Sequence, residues 1–129
     1  MQDKLVSYSS VLGVVLANKR KELEIEQSVM AERMGLSQAS YSRLESGKST
    51  FSVDQMFESA KALNIPVDQL FQSVVNTVDN LQSSDDVAVK AQARGNATKA
   101  KSSGGHGAVT FVAGAALAAL IIGLAGKAK

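Results

Sequence analysis

The chain contains no cysteine and no tryptophan, one proline and one histidine among its 129 residues. Without cysteine, neither a disulfide framework nor a thiolate zinc site can form. The lone histidine, His106, stands in a Gly/Ser stretch and reads as solvated, so no metal site is expected. Aromatic residues make up 5% of the chain, too few for a platform that stacks single-stranded nucleic acid. Paired carboxylates, a nucleophile with its base, a phosphate-cradling glycine loop and a metal cluster are all missing from the sequence pattern. The expectation is therefore a protein that is not an enzyme and needs no cofactor.

A strong charge of one sign is also lacking, because the formal net charge is only +2. The total hides an uneven distribution. Residues 1–82 carry eight Lys/Arg against ten Asp/Glu, residues 83–107 four against two, and residues 108–129 two against none. The basic excess lies in the C-terminal part, so nucleic-acid contact by the N-terminal part must rest on a local patch.

Three regions are present, and none repeats another. Residues 1–82 show helical periodicity. Residues 83–107 are rich in Ser, Gly, Ala and charge, with Val87 and Val89 their only large apolar side chains, so they read as a flexible basic linker. Residues 108–126 form one apolar run, AVTFVAGAALAALIIGLAG. At the N-terminus, Val11 to Ala17 faintly suggests a signal peptide. Asp3, the Tyr8-Ser9-Ser10 group and the lack of a small-x-small cleavage site argue against one. Leu12, Leu16, Lys19, Arg20 and Leu23 instead keep helical spacing, and residues 5–22 read as an amphipathic first helix.

The next stretch is EQSVMAERMGLSQASYSRLESGK. Val29, Met30, Ala31 and Met34 predict a short helix ended by Gly35. Ser37 stands where an N-cap is wanted, since its hydroxyl can accept a free N–H of the next helix. On that helix Tyr41 and Leu44 point one way, while Gln38, Ala39, Ser42 and Arg43 point the other. Gly47 closes it. Ser52 and Gln55 form a capping box that opens a fourth helix with Met56, Ala60 and Leu63 inward. Asn64 ends that helix, and Pro66 suits the first turn of a fifth. Leu70, Phe71, Val74, Val75, Val78 and Leu81 make an apolar stripe on the fifth helix, either core or dimer contact. The expected fold is all-α: five helices and no sheet.

These residues resemble the Cro/C1-type, lambda-repressor-like helix-turn-helix family. The resemblance covers about residues 12–71 within a domain of residues 1–82, with residues 66–82 a candidate dimerisation helix. It rests on Arg20, the Gln27-x3-Ala31-x3-Gly35-Leu36-Ser37-Gln38 run, Tyr41-Ser42-Arg43-Leu44-Glu45-x-Gly47-Lys48, and Ala62-Leu63-Asn64-Ile65-Pro66-Val67-Asp68-Gln69-Leu70-Phe71. Physical reasons accompany it. Ala31 is small where two helices would cross, Gly35 allows the positive φ of a tight turn, and Ser37 starts a recognition helix aimed at DNA.

The resemblance implies roles by position. Gln27 would bind a backbone phosphate and brace Gln38. Gln38 would read a base, adenine being the natural bidentate partner, and Ala39 could touch a thymine methyl. Ser42 and Arg43 would face further bases or phosphates, guanine being the partner for Arg43. Ser40 and Lys48 would position the DNA backbone, and Ser37 would stand at the DNA-facing start of the recognition helix. Arg20 and Glu45 would form a structural ion pair between the first and third helices. The sequence departs from the family at three places. Glu26 replaces the usual Ser or Thr cap, Tyr41 fills a core position usually held by Val or Ile, and Thr50-Phe51 replace the usual Pro region. Read by periodicity alone, Gln38, Ser42 and Arg43 are equally a solvated helix face.

The run of residues 108–126 would span roughly 28 Å as a helix, close to the hydrocarbon thickness of a bilayer. It is expected to be a transmembrane or oligomerisation helix. Gly114 and Ala118, and Ala115, Ala119 and Gly123, recur four apart, a pattern that lets membrane helices pack closely. Lys90, Arg94, Lys99 and Lys101 precede the run, and Lys127 and Lys129 follow it. The positive-inside rule then places the N-terminal domain in the cytoplasm.

The function expected is a sequence-specific transcriptional regulator, a repressor, tethered to a bacterial inner membrane. Its expected partners are a pseudo-palindromic double-stranded DNA operator, the lipid bilayer and a second copy of the chain, as homodimer or higher oligomer. Two other readings stand beside it: a membrane-anchored protein-interaction adaptor of the RodZ-like type, and an antitoxin that regulates its own synthesis.

Overall fold

The computed structural model describes residues 4–91, 111–112 and 114–127. The order is β1 (Lys4–Ser7), α1 (Tyr8–Glu22), α2 (Gln27–Met34), α3 (Gln38–Ser46), α4 (Val53–Leu63), α5 (Val67–Gln82), β2 (Val87–Lys90), β3 (Phe111–Val112) and α6 (Gly114–Lys127). The fold is mostly helical, with six helices among the described residues: the five expected before residue 83 and one in the C-terminal apolar run. A small parallel sheet of order β2-β1-β3 joins them, where none is expected from the sequence.

The first departure is at the N-terminus. The helix expected from residue 5 begins at Tyr8, because Ser7 is its N-cap and accepts the Ser10 N–H at 3.0 Å. The four residues before it form β1, with Leu5 opposite Ala88 on one side and opposite Phe111 on the other. The second departure lies in the expected linker. Val87, Ala88 and Val89 are buried in β2, which α5 packs against. Two β-branched valines suffice there because a strand covered on both faces needs only a short apolar run. Lys4 ties the strands further, its N–H to the Asp86 carbonyl at 2.8 Å and its ammonium to the Asp86 carboxylate at 3.4 Å. The rest of the expected linker, residues 92–107 with His106, lies outside the described residues.

The third departure concerns the apolar run. It breaks into β3 and α6, with Gly114 at φ 61° starting the helix. The helix has 14 residues, about 21 Å at the usual rise, against a hydrocarbon core of about 30 Å. Among the described residues no helix is long and apolar enough to cross a membrane. Leu117 is instead fully buried in the core, and α6 packs on α1, α5 and α3. Gly114 and Ala118, the small residues expected to seat another membrane helix, line a cleft with Val14, Ala17 and Ser46 of the same chain. Ala119 and Gly123 are exposed, and the side chain of Ala115 lies outside the described residues.

The core explains this arrangement. Every residue from Ser10 to Leu16 is buried, so the middle of α1 is sheltered all round and not on one face only. A helix apolar on all sides needs cover on all sides. The packing of α3, α4 and α5 leaves one side of α1 to be closed by α6. At the crossing with α3 the backbones nearly touch: a Cβ on Gly13 would lie 2.6 Å from the Glu45 carbonyl oxygen and 2.8 Å from that of Leu44. Of the α5 stripe, Leu70, Val74, Val78 and Leu81 belong to the core, while Val75 is half-buried. Phe71 does not join them and is 50% exposed.

Candidate nucleic-acid interface

Local signals shape the α2–α3 unit. Gly35 takes the left-handed conformation, φ 72°, and the Leu36 N–H reaches back to the Ala31 carbonyl at 2.8 Å. Ser37 then caps α3, its hydroxyl oxygen accepting the Ser40 N–H at 3.1 Å. Only three residues separate the helices, and α2 and α3 pack on each other. Glu26 gives α2 no side-chain cap bond. At the far end of α3, Gly47 at φ 86° lets the Lys48 N–H return to the Arg43 carbonyl at 2.9 Å.

The orientation of α3 is set by a buried charged network. The Arg20 Nε donates to Glu45 Oε2 at 2.6 Å, and its Nη2 to Oε1 at 3.2 Å. The Tyr41 hydroxyl donates to Oε2 at 2.7 Å, and the Gln27 Nε2 to Oε1 at 2.8 Å. The remaining arm of Arg20, Nη1, holds the Ile25 carbonyl at 2.9 Å, just before α2. Both charged partners are buried, so each is compensated by the other and by hydrogen bonds. Burial alone would push the Glu45 carboxyl up. The hydrogen bonds from Arg20, Tyr41 and Gln27, with the Arg20 charge, outweigh it and hold the carboxyl below its usual range. Burial and then the bond to Glu45 push the Tyr41 phenol up, so it stays protonated. The bond to Glu45 raises Arg20.

Around this support the sequence-selected residues take distinct positions. Gln38, Ala39 and Arg43 are exposed on one side of α3 and Ser42 is half-buried beside them, while Tyr41 and Leu44 are buried on the other. Ser37 and Lys48 are exposed at the two ends. The Ser40 hydroxyl oxygen accepts from the Ser37 hydroxyl at 3.0 Å and, more loosely, from Arg43 Nη2 at 3.4 Å. Its own proton remains free to donate outward. Gln27 is oriented differently from expectation: the bond that fixes it goes to Glu45, not to Gln38. Sequence reasoning treated Tyr41 as a core filler and missed its hydroxyl. The signal was present in the i, i+4 spacing of Tyr41 and Glu45, which puts them on one helix face. A cleft lined by Asn18, Lys21, Gln27, Ser42 and Ser46 opens beside this face, with the start of α6 on its other side.

Two short helices joined by a tight three-residue turn, with the second held by a buried ion pair and presenting short polar side chains outward, define a helix-turn-helix domain. The Helix-turn-helix family model HTH_3 matches residues 16–70, so this stretch is similar to the helix-turn-helix domains that the model describes. The chain is 38% identical over 55 residues to the cryptic phage CTXphi transcriptional repressor RstR of Vibrio cholerae serotype O1, covering 43% of this chain and 49% of the relative. It is 29% identical over 63 residues to an uncharacterized transcriptional regulator in the ATPase CF(0) region of Rhodospirillum rubrum, covering 49% of this chain and 58% of the relative. The chain thus spans about half the length of the curated relatives it matches. Among solved structures, the clp gene regulator ClgR from C. glutamicum superposes with a TM-score of 0.52 at 21% identity, covering 54% of this chain and 91% of that one. A mutant of the restriction-modification controller protein C.Esp1396I gives 0.51 at 19%, covering 54% and 92%. At these identities the structural likeness establishes the fold.

Proposed function

We propose that the chain is a sequence-specific DNA-binding transcriptional regulator, a repressor, that acts as a homodimer on a pseudo-palindromic operator. The observation that carries this reading is α3 itself. Its buried side is locked by Arg20 and Glu45, and its open side offers Gln38, Ala39, Ser42 and Arg43. A rigid helix with short polar side chains at its N-terminal end can enter the major groove and read base edges. In this reading Gln38 reads adenine and Arg43 guanine. Gln27, Ser37, Ser40 and Lys48 hold phosphates, which position the protein without specifying sequence. Two copies related by a two-fold axis would cover two half-sites one helical turn apart and block polymerase by occupancy.

The operator lies with the chromosome or phage genome, and we place the protein there, in the cytoplasm. A carbonate wash of membranes tests the apolar run: recovery of the full chain in the soluble fraction is expected, and retention in the pellet would restore a membrane anchor.

The functional test is a DNA-retention selection with the full chain on sheared source DNA, run in parallel with a Gln38→Ala/Arg43→Ala version. Enrichment of a short palindrome by the native form alone is the expected result. No enrichment by a folded native protein would sink the reading and leave a protein-binding adaptor as its successor.

A further inference from the structure

We propose that Tyr41 is a positioning residue for DNA contact, acting through Glu45 to hold the Gln27 side chain in its phosphate-facing orientation. The inference rests on the reading of α2–α3 as the DNA-binding unit, and adds a residue that the helix-turn-helix pattern assigns to the core.

The argument starts from the Glu45 carboxylate, which accepts four hydrogen bonds, two on each oxygen. Oε2 takes Arg20 Nε at 2.6 Å and Tyr41 at 2.7 Å. Oε1 takes Gln27 at 2.8 Å and Arg20 Nη2 at 3.2 Å. A guanidinium and a carboxylate left to themselves form two parallel bonds of similar length, roughly 2.7–2.9 Å. Here the fork is uneven. Arg20 holds Oε2 tightly and Oε1 loosely, and the loosely held oxygen is the one that takes the Gln27 amide. Tyr41 supplies the reason. Its ring is fully buried, it comes from one turn earlier in α3, and its hydroxyl pins Oε2 from a second direction. The carboxylate is then unable to turn toward a symmetric fork, and Oε1 stays turned to Gln27.

Gln27 is the first residue of α2 and only half-buried. Gln27 lines a cleft with Ser42 and Ser46, and with one amide hydrogen given to Glu45 the other is left to donate. Two amide hydrogens lie in one plane at a fixed angle, so holding one aims the other. Removing the Tyr41 hydroxyl keeps the ring volume and the ion pair. It frees Oε2, lets the fork even out and draws Oε1 away from Gln27.

The test uses the full chain and Tyr41→Phe, with two readouts. The first needs no DNA: the order of the Gln27 side-chain amide by NMR, with the melting temperature measured alongside. Tyr41→Phe is expected to stay folded and to loosen that amide; an amide equally ordered in both forms overturns the proposal. The second is affinity for the retained operator in the native, Tyr41→Phe, Gln27→Ala and doubly substituted chains. Tyr41→Phe is expected to lose about fivefold in the native background and nothing further once Gln27 is Ala. An equal loss in both backgrounds would make Tyr41 a packing residue and overturn its link to Gln27. A loosened amide in a chain that holds no DNA would support the positioning role while removing the proposed function.

Discussion

The α2–α3 unit and the β1–β2–β3/α6 assembly are held in opposite ways. In the first, nearly every constraint is local: Gly35, Ser37 and Gly47 set the turn and both ends of α3 within a dozen residues. Long-range links, Arg20 to Glu45 and Arg33 to the Ala62 carbonyl at 2.7 Å, then orient the pair. In the second, the constraints are distant. β1 pairs with β2 more than eighty residues away and with β3 more than a hundred, and α6 packs on α1, α5 and α3. The local unit is the part of the molecule proposed to read DNA, and the distant assembly encloses α1 behind it.

The largest effect expected is on the link that orients the local unit. Glu45→Ala leaves Arg20 buried without its partner and is expected to cost about 4 kcal/mol in chemical denaturation. A loss near zero would mean that caps alone hold α3.

Leu117→Ala probes the distant assembly in the same assay. The side chain is fully buried, and its truncation is expected to cost about 3 kcal/mol. An unchanged unfolding midpoint would show that α6 does not belong to the folded body, and the contrast between the two regions would become one between a domain and its tail.

Gly13→Ala strikes the seam, where α1 meets α3 with no room for a Cβ. Overpacking there is expected to cost about 2 kcal/mol and to weaken DNA retention as well, because α3 must move. Full stability would mean that the helices can separate freely.

The mildest challenge is acid. The folded Glu45 carboxyl lies below its ordinary value of 4.5, so the folded state binds that proton less readily than the unfolded chain. Its contribution is complete above pH 4.5 and is lost as pH falls through the depressed value. Comparing the acid limb of the stability profile with that of Glu45→Gln isolates it: the native limb should be steeper below pH 4.5, and identical limbs would count against a charged Glu45 with a depressed pKa.

How much could be read from the sequence follows the same division. The caps at Ser37 and Ser52, the left-handed Gly35 and the outward side of α3 were legible because each depends on residues a few positions apart. Expected and observed helix bounds for α2 to α4 agree for that reason. The sheet was not legible. Leu5 and Val6 fit a helix as well as a strand, and Val87 and Val89 were too few to signal one without knowledge of what faces them. The seat of the apolar run was not legible either, because the composition of residues 83–107 reads as a linker and hides the strand that begins at Val87. A clue lay at the other end of the chain. Val11, Leu12, Val14, Val15 and Leu16 leave the middle of α1 no solvent face, and α6 supplies part of the cover. The role of the Tyr41 hydroxyl is hidden behind the core position that the family pattern gives its ring.

The central claim is that α3 reads DNA sequence through its exposed face. The most direct test titrates the full chain and Gln38→Ala against the retained operator and against single-base variants at each position. The native chain should lose about 1–3 kcal/mol at each contacted base pair, and Gln38→Ala should lose discrimination at one position while keeping it at the others. Identical discrimination by both forms at every position would contradict the account.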